Sequence, residues 1–215
     1  MVRRIFKIPK KAKRVFKGVL FEVFQWQQKM FDGSFGTFEF VKRPNTVEIL
    51  ATTADKKILI LQQRQPHTNF FYSLPGGKVD KGESLANAAK RELREETGHT
   101  TAKLKLWNIF DEYATMEWNI VMFIAQNCRR AGDLILDPGE IIKVKRLSFN
   151  QFLKLATEDN FWCSRHFSKF LFAASKIKKS GINSTKSCLK NNLIPSIIYE
   201  NPNQPFSQNG RPCQL

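Results

Sequence analysis

Hydrophobic and polar positions change period several times along the chain, and each change marks an element. Residues 15–28 and 35–41 are dominated by β-branched and aromatic side chains, with the turn signal Asp32-Gly33 between them, so two antiparallel strands are expected. Residues 47–52 and 58–61 predict two further strands joined through Asp55-Lys56-Lys57, and the second is continuously apolar, as a strand covered on both faces is. From Ser84 the period becomes helical. Up to Thr97 there is no proline or internal glycine, Ala, Leu, Glu, Lys and Arg dominate, and Gly98 supplies the stop. Residues 104–110 and 120–126 read as strands, and 149–156 and 161–175 as helices, the last with Phe167, Phe170, Leu171 and Ala174 at helical spacing. From Lys176 onward Ser, Asn, Gln, Pro and Lys dominate, which predicts a disordered tail.

The helix at 84–97 carries the chemistry. Residues three and four apart share a helix face, so Glu92, Glu95 and Glu96 converge while Leu85, Ala89 and Leu93 form the inward stripe. Crowded carboxylates cost free energy that a cation removes, and all-oxygen donors suit Mg²⁺ or Mn²⁺ better than zinc. Arg91 is placed to tie down a carboxylate of the preceding loop, with Glu83 the expected partner, holding loop and helix in one geometry.

Gly77, Glu83, Arg91, Glu92, Leu93, Glu95, Glu96 and Gly98, at these spacings, resemble the signature of the Nudix hydrolases. His99 departs from it, because the family usually has an aliphatic residue there. The resemblance implies an α/β fold, an α/β/α sandwich around a mixed sheet, preceded here by an antiparallel strand pair. It divides the chain into a basic segment 1–14, N-terminal strands 15–45, a Nudix domain 46–175 and the tail 176–215.

It also implies Mg²⁺-dependent hydrolysis of a pyrophosphate bond by an activated water. Glu92, Glu96 and Glu95 would hold metal together with the Gly76 carbonyl, and Glu83 would orient Arg91 or hold an outer metal through water. Glu95 or Glu140 would be the base, Glu140 because the segment 134–144 resembles the loop and strand near the end of ADP-ribose pyrophosphatase-like enzymes. Gln63 and Arg64, ending the core strand, are candidates to contact a diphosphate. Among Trp107, Phe110, Tyr113 and Trp118, one is a candidate to stack a nucleobase, with Trp118 carried forward as substrate-binding.

The ADP-ribose pyrophosphatase branch is the best match, so ADP-ribose or a nucleotide sugar is the expected substrate, and its N-terminal strands imply a possible homodimer. Gly76 stands where that branch often has Ala, which keeps open a nucleoside triphosphate pyrophosphatase that clears damaged nucleotides. A binding module for nucleotides or RNA is the third reading, and an intact set of signature acids speaks against it.

Composition changes this picture little. The formal net charge of +16 suggests a nucleic-acid partner until it is located. Residues 1–17 hold eight Lys or Arg and no acid, and 176–215 hold six against Glu200 alone, leaving the body roughly +3. No apolar run reaches membrane-spanning length and no signal-peptide core follows Met1, so a cytoplasmic protein is expected, with no membrane partner. Cys128, Cys163, Cys188 and Cys213 lack close pairing, as reduced thiols do, and His67 and His166 have no sequence partners for a metal.

Overall fold

A computed structural model describes residues 7–111 and 114–163. Two sheets organise them. The first contains β1 (Lys13–Lys17), β2 (Glu22–Lys29) and β3 (Phe35–Lys42), antiparallel in chain order, with the two-residue β10 (Met116–Glu117) added parallel to β3. The expected single strand over 15–28 is therefore two. Gly18 donates to the Phe21 carbonyl at 2.8 Å and reverses the chain, a turn hidden within a run of β-forming residues. The following hairpin closes at the anticipated Asp32-Gly33, where Gly33 has φ 88° and Asp32 accepts from the Ser34 amide.

The second sheet is mixed. Its path runs β13 (Phe161–Trp162), β6 (Phe71–Ser73), β5 (Ile58–Arg64), β4 (Thr46–Thr53), β11 (Asn119–Arg130) and β8 (His99–Thr100). Three more strands join it: β12 (Ile141–Leu147) on β5, β7 (Gly76–Lys78) on β4, and β9 (Lys103–Asp111) on β11. β4 and β11 run parallel at its centre, where β4 from Ile49 to Thr53 and β11 from Ile120 to Ala125 are buried.

Strand alternation sends side chains to two cores. Val47, Ile49, Ala51, Leu59, Val121, Phe123 and Ala125 meet Ala88, Ala89 and Leu93 of helix α1 (Leu85–Thr97). Leu50, Ile58, Ile60, Ile120, Met122 and Ile124 meet Phe152 and Leu153 of α2 (Phe149–Leu155) on the opposite face. A helix covers each face, as the expected α/β/α sandwich requires, and Ile58 through Leu61 are fully buried as a doubly covered strand must be. Leu93 sits at the centre of the α1 contact, where truncation to Ala would cost about 2–5 kcal/mol.

The helix expected over 161–175 begins differently. Phe161 and Trp162 pair in parallel with Tyr72 and Ser73, so they are strand, and residues from 164 onward lie outside the described residues. Tyr113, His166 and the tail also lie outside them. Among the described residues no helix is long and apolar enough to cross a membrane, and Cys128 and Cys163 are thiols rather than half-cystines.

Candidate active site

Helix α1 is held at both ends. Ser84 caps it, its side chain accepting from the Asn87 amide at 3.2 Å, and Gly98, left-handed at φ 68°, returns its N–H to the Arg94 carbonyl at 3.0 Å. A Cβ at Gly98 would run into the Gly132 carbonyl, so only glycine ends the helix against that loop. His99, the departure from the family pattern, fills a buried slot with Nδ1 2.7 Å from the Thr97 carbonyl.

Arg91 is the hub of the helix's polar face. Its Nε and Nη2 donate to the two oxygens of Glu83 at 3.0 Å each, Nη1 to Glu92 at 2.9 Å and Glu95 at 3.1 Å, and Nη2 also to the Lys78 carbonyl at 2.9 Å. The bidentate pair keeps the Glu83 carboxyl below the usual range, and its neighbours push the Arg91 guanidinium further up. The anticipated Glu83–Arg91 tie is therefore present.

Glu92 and Glu96 are treated differently. Glu96 is only 5% exposed and accepts from the Gly76 amide at 2.7 Å. Burial drives its carboxyl well above the usual value, with Glu92, Glu140 and Glu95 adding repulsion against the pull of that amide. Burial also raises Glu92, and Arg91 only partly offsets it. Glu92 packs on Gly77, where a Cβ would meet its Oε2 at 2.8 Å, while a Cβ at Gly76 would run into the Val47 carbonyl. Both glycines are demanded by close approach.

The fourth acid comes from far along the chain. Ile135 donates to the Glu95 carbonyl at 2.8 Å, and Arg94 Nη1 donates to the Asp133 carbonyl at 2.7 Å, so the loop before β12 lies along α1. It brings in Glu140, whose carboxyl is raised mainly by burial and also by repulsion from Asp137 and Glu95.

Gly76, Gly77, Glu92, Glu95, Glu96, Arg91 and Glu140 line one cleft of about 770 Å³ with Gln63 and Trp118. Gln63 is 8% exposed and donates to Ser73 Oγ at 2.6 Å. Arg64 is not among the lining residues; it is exposed, 5.8 Å from the Phe70 ring. Of the other aromatic candidates, Phe110 is buried against Trp107 in the α2-side core. Glu48, Phe71 and Trp162 also line the cleft. Sequence reasoning missed them, and their only signal was that Glu48 is an acid within an otherwise apolar strand and Trp162 abuts an aromatic run. Among the described residues no three of His, Cys, Asp or Glu are gathered into a set that could hold a metal as they stand. Arg91 draws Glu92 and Glu95 toward itself, while Glu96 is turned to the Gly76 amide.

An acid-lined cleft beside a capped helix on a doubly covered mixed sheet is the arrangement the spaced motif suggested. A model of the NUDIX domain matches residues 42–169, well over half of the chain. The ADP-ribose pyrophosphatase of Bacillus subtilis (strain 168) is 30% identical over 145 residues, 66% of this chain and 78% of that protein. The methanol dehydrogenase activator of Bacillus methanolicus is 26% identical over 161 residues, 72% of this chain and 85% of that one. A crystal structure of an ADP compounds hydrolase shares the fold, with TM-score 0.63 at 21% identity, covering 80% of this chain and 94% of that one. This chain belongs to the Nudix family and is a hydrolase acting on pyrophosphate bonds of nucleoside diphosphate derivatives. Family members generally use divalent metal ions and act on small nucleotide substrates.

Proposed function

We propose that the chain hydrolyses ADP-ribose or a related nucleotide sugar, with Mg²⁺ or Mn²⁺ as cofactor, in the cytoplasm. The observation that carries this reading is the meeting of Glu92, Glu95, Glu96 and Glu140 in one cleft against an arginine already engaged by three carboxylates. The similarity to an ADP-ribose pyrophosphatase supports the substrate.

The donor set fits a hard cation. It is all oxygen, and burial and like-charge repulsion hold Glu92 and Glu96 above their usual range, a cost that a divalent ion would remove. Glu92, Glu96 and Glu95 would hold it, with the Gly76 carbonyl, and Glu83 in an outer role. Bound there, a divalent ion neutralises charge on the phosphate oxygens and lowers the pKa of a coordinated water. Arg91 fixes the spacing of the acids. Glu140 takes the proton from the attacking water in preference to Glu95, because Glu95 is already engaged by the Arg91 guanidinium at 3.1 Å, whereas burial raises the Glu140 carboxyl. Gln63 contacts the diphosphate from the strand side.

The decisive experiment is a Mg²⁺-dependent substrate panel with product identification: ADP-ribose, nucleotide sugars, dinucleoside polyphosphates, oxidised triphosphates and capped RNA. Release of AMP from ADP-ribose is expected. Turnover of oxidised triphosphates alone would instead support the triphosphate pyrophosphatase reading, which rests on Gly76 standing where the ADP-ribose branch often has Ala.

Homodimer formation through the N-terminal sheet is part of the same reading. Val15 and Phe16 on edge strand β1 and Phe35 on β3 are largely exposed, an apolar surface suited to a second copy. A purely monomeric boundary in sedimentation velocity would remove that part.

A further inference from the structure

Two tryptophans line the cleft in contrasting situations. Trp118 is built into the wall. Its Nε1 donates to Thr46 Oγ1 at 3.0 Å, and the Arg43 guanidinium lies over its ring at 4.3 Å, itself 5.7 Å from the Phe21 ring. A base arriving on that face of Trp118 would have to displace the cation.

Trp162 presents the opposite case. Its ring stacks on Phe71 with centroids 4.1 Å apart and planes 19° from parallel. Phe71 is only 6% exposed, yet Trp162 is 53% exposed. An indole backed on one face, still half exposed and lining the cleft leaves ring surface open beside it. Both backbones are placed by strand pairing, Trp162 with Ser73 and Phe71 with Gln63. Two polar groups near it are bonded in series: Gln63 donates to Ser73 Oγ, which donates to the Leu74 carbonyl at 2.9 Å.

We propose that Trp162, backed by Phe71, is the surface on which the planar base of the nucleotide substrate stacks. This rests on the reading that the substrate carries a nucleoside diphosphate. Because the surface it offers is a π face, it holds bases by stacking rather than by hydrogen-bond readout. Tolerance among bases follows, with purines bound more tightly than pyrimidines because they stack over a larger area.

The test uses the full chain and binding rather than turnover. AMP and ribose 5-phosphate are titrated calorimetrically into wild type, Trp162→Ala and Trp162→Phe, with thermal melting as the fold control. Trp162→Ala is expected to weaken AMP on the order of 10- to 100-fold and leave ribose 5-phosphate unchanged, and Trp162→Phe to recover most of the loss. Unchanged AMP affinity in Trp162→Ala, equal weakening of both ligands, failure of Trp162→Phe to recover affinity, or no AMP binding to wild type would each overturn the proposal. A chain inert on the substrate panel but showing the expected AMP pattern would sink the proposed reaction and leave this base platform standing.

Discussion

On the α1 side of the cleft a single side chain, Arg91, reaches three carboxylates and a backbone carbonyl, whereas on the β6 side Phe71 and Trp162 are held by strand pairing and ring contact. The acidic wall must keep charge out of water against its own repulsion, so it needs capped ends, a bidentate arginine and glycines that leave room for carboxylates. The aromatic wall pays no such cost and stays half open to solvent. Small geometric errors should therefore be severe on the first wall and graded on the second.

The largest effect is expected at Glu96. Glu96→Gln keeps an oxygen for the Gly76 amide but removes the charge, so turnover should fall by orders of magnitude with an unchanged circular dichroism spectrum. Near-wild-type kcat would end the assignment of Glu96 to the metal. Chelation of divalent ions should abolish activity to a similar degree, and Mg²⁺ should restore it.

Next comes Gly77→Ala. Its new methyl group must push the Glu92 carboxylate aside, and a displacement near 1 Å at a catalytic group can cost about 100-fold. A drop of about ten- to a hundredfold in kcat, measured beside an intact melting transition, is expected. A fully active variant would show that the acidic wall yields as easily as the aromatic one.

Glu83→Gln tests the frame. Losing charge-assisted hydrogen bonds to Arg91 should cost about 1.5–3 kcal/mol in urea denaturation at pH 7. Because the folded-state pKa of Glu83 is lowered, its contribution is fully present above the ordinary carboxylate range and disappears as pH falls through the folded value. Wild type and variant should accordingly converge in stability as pH falls below the ordinary carboxylate range. A gap that does not narrow on acidification would mean the bond is not charge-assisted.

The smallest effect belongs to Arg64→Ala, which should change KM less than about twofold, since that side chain lies over Phe70 and outside the cleft lining. A large rise would show that the strand wall recruits a charge after all.

The α1 part of the acidic wall was legible because it is local: Ser84 through Gly98 carry cap, inward stripe, acids and stop within one helix, and Glu83 sits one residue before it. The doubly covered strand β5 was legible for the same reason, its apolar run needing no distant partner. Gly18 was not, because a reverse turn inside aromatic and β-branched residues leaves no polar punctuation. Nor was the strand at Phe161–Trp162, whose helical spacing with the residues beyond it is overridden by pairing with a segment ninety positions earlier. The aromatic wall is a product of topology, since β6, β13 and Trp118 meet only once the sheet is assembled.

The short strand β10 has a practical corollary. It lends Met116 and Glu117 to the N-terminal sheet, where the Val41 and Arg43 amides donate to the Thr115 and Glu117 carbonyls and Lys42 pairs with Glu117 at 3.3 Å, one residue before Trp118. The leading sheet is thus stitched into the middle of the enzyme instead of being strung ahead of it. A truncation at residue 42, where the family match begins, would cut that seam beside the substrate's doorway, so a portable catalytic unit is expected to need β3 as well.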